Sequence, residues 1–259
     1  MKKLFHILGI ALLAASCGVS NQASKDKIVV GVCHNGTTET TKAYFRKCVE
    51  DAGGVPVIFP EYTLTDEMAQ EYIKGVDAVI IPGSNKNDTT DRKNYDAKVI
   101  KAAIDADKPI LGICFGHQRI AKDYGGKMAK VSTQYPESTI QHKDHIIQNE
   151  ADFNRGLNTQ AHPMVLDRKS KLYRLLGRQD TVMVNNSHSW CVTEVPEGFK
   201  VVGHAPDGCI EAYEADKIMG VQFHPEFLYG KLGLKQFLPI FENLVGEAAK
   251  VKKSNKKNH

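Results

Sequence analysis

The chain has 259 residues, 42% hydrophobic and 25% charged, which is ordinary for a soluble globular protein and enough to bury a substantial core. Its formal net charge of +4 falls to about −3 once Lys2, Lys3 and five tail lysines (250, 252, 253, 256 and 257) are set aside. A body of that charge gives no reason to expect a nucleic-acid surface.

Lys2 and Lys3 precede an apolar run from Leu4 to Ala15, and then come Ser16, Cys17 and Gly18. A basic start, a brief apolar stretch and small residues form the pattern of an export signal, and the run falls short of the ~20 apolar residues that a membrane span needs. Leu13 to Cys17 resembles the lipobox of bacterial lipoproteins, in which the cysteine is lipidated and becomes the mature N-terminus. The expected organisation is therefore a signal peptide over 1–17, a polar tether over 18–27, one folded body over 28–249 and a basic, disordered tail over 250–259. The expected location is a bacterial cell envelope, periplasm or outer membrane, with a lipid on Cys17 as the membrane anchor. Beyond Cys17, the cysteines at 33, 48, 114, 191 and 209 show no framework spacing. Their odd number leaves at least one thiol free, and Cys191 and Cys209 are the two that neighbouring strands could bring together.

"KIVVGVC" (27–33) is a β-branched apolar run and predicts a buried strand. "TETTKAYFRKCVEDAGG" (38–54) predicts a helix stopped by glycines, and "VPVIFP" (55–60) a second strand. "TDEMAQEYIKG" (65–75) predicts a helix with Thr65 as its N-cap, and "VDAVIIPGS" (76–84) a third strand. "RKNYDAKVIKAAIDADK" (92–108) is amphipathic and helical, and "PILGIC" (109–114) is the fourth strand. Alternation of helices with continuously apolar strands predicts a parallel sheet covered on both faces. After residue 160 the pattern changes to short, closely spaced strands: "HPMVLD", "DTVMVNN", "WCVTEV", "FKVVGHA", "CIEAYE" and "IMGVQF". One helix near Lys169–Leu176 interrupts them, and a helix around Tyr229–Ala249 closes the chain. The expected class is α/β, a doubly wound, mostly parallel sheet with an added antiparallel strand set.

Reactive groups in such sheets sit at the C-terminal ends of the strands. "GICFG" (112–116) follows a strand and precedes a helix, which is the context of a nucleophile elbow with cysteine in place of serine. Gly112 and Gly116 relieve crowding where the strand turns into the helix, and the helix N-terminus favours a thiolate and offers N–H groups to an oxyanion. A thiolate nucleophile needs a base, and "VQFHPEF" offers His224 at a strand end with Glu226 to orient it. "IIPGS" offers Gly83 and Ser84 at a third strand end.

Together, Pro82-Gly83-Ser84, Gly-Ile-Cys-Phe-Gly-His-Gln at 112–118 and Gln-Phe-His-Pro-Glu at 222–226 resemble the class I glutamine amidotransferases, a flavodoxin-like fold. Within that group the chain resembles the peptidase C26 branch of γ-glutamyl-γ-aminobutyrate hydrolases and γ-glutamyl hydrolases. "AGGVPVIFP" (52–60), "HPMVLDRKSKLYRLLG" (162–177) and "DGCIEAYE" (207–214) support this, and the likeness spans roughly residues 27–245. The resemblance implies a Cys114–His224–Glu226 triad, a γ-glutamyl thioester on Cys114, and oxyanion donors among Gly83, Ser84 and the Phe115 N–H. It places Gln118 on the first helical turn after the nucleophile, as a substrate-binding residue.

Two departures bear on the substrate. Relatives have a long loop after the glycine turn, whereas only Asn85 to Asp91 stand here, so a more open site is expected. Relatives that cleave γ-glutamyl-aminobutyrate tend to read Val-Asn-Ser-x-His-His-Gln where this chain has Val184-Asn-Asn-Ser-His-Ser-Trp190. The Asn-x-His-x-Trp part looks more like the hydrolases that trim poly-γ-glutamate from folates. His188 is accordingly a substrate-binding candidate, and so is His142, which lies where relatives have a polar segment near the site; Trp190 serves equally as core or as pocket wall. His142 and His145 lack acidic or thiol partners at a useful spacing along the chain, so no metal is expected, and no other cofactor. The leading reading is a hydrolase of small γ-glutamyl substrates. The alternatives are the glutaminase half of an amidotransferase, which needs an ATP-using partner in the cytoplasm, and a lipoprotein that binds γ-glutamyl compounds without cleaving them.

Overall fold

The structure is a computed structural model that describes residues 27–33, 39–60, 64–84, 90–140, 142 and 160–257. The export signal, the tether before Lys27, Cys17, His145 and the short loop after Ser84 lie outside the described residues.

Four short strands alternate with helices: β1 (Val29–Val32), α1 (Glu39–Asp51), β2 (Val55–Ile58), α2 (Asp66–Lys74), β3 (Ala78–Ile81), α3 (Thr90–Asp105), β4 (Ile110–Ile113) and α4 (Phe115–Asp123). Thr65 caps α2 as its sequence position predicts, its Oγ1 accepting from the Met68 N–H at 3.2 Å. The parallel part of the sheet runs β2-β1-β3-β4 and is completed by β11 (Ile218–Val221), which pairs parallel with β4.

The apolar strands alternate between two cores. Ala78, Ile80, Leu111 and Ile113 face one core with Phe45 and Val49 of α1, while Val79, Ile81 and Ile110 face the other with Ile73, Val99 and Ile120 of α2, α3 and α4. Both faces of β3 and β4 are therefore dry, which is why these strands carry no polar residue. Each such side chain contributes about 1.5–3 kcal/mol by burial.

Past α4 come β5 (Lys127–Lys130), α5 (Val131–Gln134), β6 (His162–Leu166), α6 (Lys171–Leu175), β7 (Thr181–Val184), β8 (Trp190–Glu194), β9 (Lys200–His204) and β10 (Ile210–Glu214). These strands pair antiparallel and extend the same sheet in the order β11-β10-β9-β6-β7. A side branch joins β8 to both β10 and β5. The added strand set is thus continuous with the parallel sheet.

The end of the chain differs from expectation. In place of one helix around Tyr229–Ala249, the backbone makes a π-helical turn at Glu226–Lys231, passes Gly233 at φ +70°, and starts α7 (Leu238–Lys257) afterwards. Gly233 takes a left-handed conformation that a helix cannot contain, so it separates the two turns. The lysines expected in a disordered tail instead lie on α7 as far as Lys257. Lys252 is fixed to the body by bonds from Nζ to the Lys27 carbonyl at 3.0 Å and to Asp77 Oδ2 at 2.8 Å. Among the described residues no helix is long and apolar enough to cross a membrane.

Candidate active site

Three adjacent parallel strands, β3, β4 and β11, end at the same level, because Ile81 pairs with Gly112 and Val221 with Ile113. Just beyond these ends lie Gly83, Cys114 and His224. The Cys114 N–H continues the ladder by donating to the Val221 carbonyl at 2.8 Å, and the chain then turns at once into α4.

That turn is strained. Cys114 has φ +49° and ψ −103°, an uncommon conformation for a residue with a side chain, costing about 1–3 kcal/mol. The neighbouring glycines make the turn possible. A Cβ on Gly116 would sit 1.9 Å from the Ile81 carbonyl oxygen, so α4 approaches β3 as closely as backbone allows. On Gly83, a Cβ would sit 2.5 Å from His224 Cε1 and 3.4 Å from Cys114 Cβ. The third strand end is therefore pressed against both Cys114 and His224. The Phe115 N–H belongs to the first turn of α4, whose amides have no acceptor within the helix.

His224 Nδ1 meets Glu226 Oε1 at 2.7 Å, both side chains being buried, and the Cys114 side chain hydrogen-bonds the same ring. Burial would depress the imidazole, but the Glu226 carboxylate and Cys114 outweigh it and raise the His224 pKa to about 10. At neutral pH the ring is therefore an imidazolium, held between the side chains of Glu226 and Cys114. The backbone of His224 is fixed by Asn185, which accepts from its N–H at 2.8 Å and donates to its carbonyl at 3.1 Å. The sequence marks Asn185 only as part of the stretch after β7; its use is visible once the end of β7 lies beside that of β11.

A buried ion pair supports the glycine turn. Arg92 Nε donates to Asp96 Oδ2 at 2.7 Å and Arg92 Nη2 to the Pro82 carbonyl at 3.3 Å, with the guanidinium 5.3 Å from the Phe115 ring centroid. Burial pushes the Asp96 carboxyl up to about 6 against the pull of Arg92. The i,i+4 Arg–Asp spacing is legible in the sequence as a helix-surface pair, but not its burial.

The three substrate-binding candidates, Gln118, His188 and His142, all have partners within the protein. Gln118 uses its amide nitrogen internally, donating to the Trp190 carbonyl at 2.8 Å and to Gln222 Oε1 at 3.0 Å. It ties the nucleophile helix to β8 and β11. His188 and His142 are buried, His188 Nε2 lying 3.7 Å and His142 Nδ1 3.6 Å from Glu211 Oε1. His162 Nε2 lies 3.6 Å from the same oxygen. Spacing along the chain gives His142 no acidic partner; the fold supplies Glu211 and Asp207 from far along the sequence. Burial alone would raise the Glu211 carboxyl, but the surrounding imidazoles hold it below the usual carboxylate range. Trp190 is 40% exposed, with Lys130 Nζ 6.0 Å from its ring. On the nucleophile helix, His117 stacks on Tyr213 at 4.5 Å between ring centroids, and burial drives its pKa down to about 3, leaving it neutral. Cys191 and Cys209 share one small buried cluster as free thiols.

Comparison with known proteins agrees with this geometry. A family profile described as Peptidase C26 matches residues 17–226. The γ-glutamyl-γ-aminobutyrate hydrolase PuuD of Escherichia coli K12 is 24% identical over 240 residues, covering 84% of this chain and 92% of that protein. Protein NtpR of Enterococcus hirae is 26% identical over 213 residues, 75% of this chain and 84% of that protein. Among solved structures, a protein from Thermoplasma acidophilum described as part of a GMP synthase superposes with a TM-score of 0.65 at 19% identity, covering 89% of this chain and 98% of the other. A glutamine amidotransferase from Thermotoga maritima superposes with a TM-score of 0.59 at 13% identity, covering 86% of this chain and 98% of the other. These likenesses establish the fold as the glutamine amidotransferase type of α/β sheet. With a cysteine elbow, a buried His–Glu pair and a profile match over most of its length, the chain belongs to the peptidase C26 family of C–N bond hydrolases.

Proposed function

We propose that the protein hydrolyses γ-glutamyl amide bonds of small molecules through a thioester on Cys114. The observation that carries this reading is the buried Glu226–His224 pair at 2.7 Å beside a cysteine held at φ +49°. The Cys114 thiolate attacks the γ-carbonyl carbon, and the oxygen gains charge beside the Phe115 N–H and the Gly83–Ser84 turn. Protonated His224 then gives its proton to the leaving amine as the C–N bond breaks, leaving the γ-glutamyl thioester. Neutral His224 next takes a proton from water, whose oxygen attacks the thioester. Glutamate leaves and the thiolate–imidazolium pair is restored.

The substrate class rests on the likeness to PuuD and on the motifs at 82–84, 112–118 and 222–226. Incubating the protein with γ-glutamyl-aminobutyrate, γ-glutamyl peptides and glutamine is expected to release glutamate from the first two with kcat/KM at least tenfold above that for glutamine. Release from glutamine alone would favour the glutaminase half of an amidotransferase, and release from none would leave the binding lipoprotein as the better reading.

Attachment to an envelope membrane through Cys17 is part of the same proposal and rests on the N-terminal sequence. On expression of the full chain in a bacterium, the protein is expected in the membrane fraction, and Cys17→Ala is expected to move it to the soluble one. An unchanged distribution would remove the lipid anchor from the proposal.

A further inference from the structure

Outside the triad, the buried side chains of His142, His162, His188 and Glu211 meet in a second cluster of chemically capable groups. They come from four separate places: the segment after α5, the first residue of β6, the turn before β8, and β10. Each offers one donor atom, and all four donors lie within 4.8 Å of one another.

Three features distinguish this cluster from a set of core histidines. First, its inward atoms are orphaned. His142 Nδ1, His162 Nε2, His188 Nε2 and both oxygens of Glu211 are buried without a hydrogen-bond partner among the described residues. Five such atoms converging on one point cost several kcal/mol if nothing joins them. Second, the separations are too long for hydrogen bonds and right for a shared ion. The three imidazole nitrogens lie 3.6, 3.6 and 3.7 Å from Glu211 Oε1. Tetrahedral ligands about 2.0–2.1 Å from a zinc ion stand about 3.4 Å apart.

Third, every imidazole has its outer nitrogen engaged. His162 Nδ1 meets the Pro163 carbonyl at 3.1 Å and His188 Nδ1 the Trp190 carbonyl at 3.0 Å. His142 Nε2 meets Asp207 Oδ2 at 2.7 Å. Asp207 is held in turn by Ser138 Oγ and, through Oδ1 at 3.1 Å, by the Cys209 N–H. A carbonyl accepts only, so His162 and His188 must donate outward and present a lone pair inward. The Asp207 carboxylate imposes the same tautomer on His142. This outward hydrogen-bonding of ligand histidines is what orients them toward a metal.

We infer that His142, His162, His188 and Glu211 form a four-ligand site for a divalent transition-metal ion, zinc by its nitrogen-rich donor set, with a structural role. Three imidazole nitrogens and one carboxylate oxygen suit zinc better than magnesium or calcium, which take oxygen ligands. The charges also close: a dication balances Glu211 and Asp207, the two carboxylates that the fold sets against these rings. Four protein ligands complete a tetrahedron and leave no position for a reacting water. The ion would tie the segment at 142 and the antiparallel strands together, and it would seat the Trp190 carbonyl, which accepts from both His188 and Gln118. Through Gln118 it would steady the nucleophile helix without touching the substrate.

The test is metal content, which does not depend on hydrolysis. The purified full chain, reconstituted with zinc and freed of excess by gel filtration, is expected to carry about one zinc per chain by plasma mass spectrometry. Cys114→Ala is expected to keep that zinc, while His162→Ala and Glu211→Gln are expected to lose most of it. Cobalt(II) in place of zinc is expected to give the intense visible bands of a tetrahedral site. In wild type alone, zinc at a hundredfold excess over its Kd is expected to raise the folded-to-unfolded ratio about 100-fold, read as an upward shift of Tm. That measurement decides the matter if the variants do not fold. Wild type that retains no zinc and shows no Tm shift overturns the inference. So does zinc that survives His162→Ala and Glu211→Gln but is lost from Cys191→Ser or Cys209→Ser, which would place the ion on the neighbouring thiols.

Discussion

Cys114→Ala is expected to reduce glutamate release from a γ-glutamyl amide by about 10⁴-fold or more in kcat/KM, with the fold intact. The prediction separates two roles for a buried cysteine. As core, Cys114 contributes one small side chain to a cluster dominated by Phe45, Phe223 and Phe241, and its loss is cheap. As nucleophile, it is the atom that becomes covalently bonded, and nothing nearby replaces it. The backbone at 114 keeps its φ of +49° under either role, because Gly116 packed on Ile81 imposes the turn. A thermal melt alongside the rate measurement shows which role applies. Activity within tenfold of wild type in Cys114→Ala would exclude the thioester.

Glu226→Gln is expected to lower kcat by about 10²–10⁴-fold and to move the basic limb of the pH–rate profile down by several pH units. The His224 pKa of about 10 is set against burial, which by itself lowers it, by the carboxylate of Glu226 and by Cys114. Removing the carboxylate leaves burial with less opposition, and the imidazolium then deprotonates nearer the ordinary histidine value of ~6.5 or below. In wild type the folded-state pKa lies above the unfolded one. The pair therefore stabilises the fold fully below pH ~6.5 and loses that contribution as the pH rises through about 10. Denaturant titrations from pH 6 to 10 are expected to show wild type losing its advantage over Glu226→Gln with rising pH. Parallel stability curves for the two proteins would mean that Glu226 does not set the charge of His224.

The parallel half of the fold is legible in the sequence because its signals are local. Continuous apolar runs at Val29, Ala78 and Ile110 can only be strands dry on both faces, and each is followed by an amphipathic helix. The meeting of Cys114 with His224 is legible because each sits just past a strand end, so that order along the chain maps onto neighbours in space, and Glu226 follows His224 by two residues. What escapes reading depends on contacts between distant segments. The spacing of His142 and His145 points away from a metal, whereas the partners of His142 are 20, 46 and 69 residues further on, brought together by antiparallel pairing that the sequence does not number. Gln118 and His188 look like substrate contacts by position on a motif. Their nitrogens also meet at one carbonyl, that of Trp190, a contact that no spacing along the chain announces. The last helix begins later than its composition suggests because Gly233 and the wide turn before it look helical along the chain.

The bond between Lys252 and the Lys27 carbonyl fixes where the chain enters the sheet. Lys27 lies just before β1, at the N-terminal edge of the parallel strands, and α7 holds it there. Gly83, Cys114 and His224 all lie past the C-terminal edge. The chain therefore enters β1 from the rim opposite the one that carries Gly83, Cys114 and His224, and α7 fixes that entry point away from the candidate site.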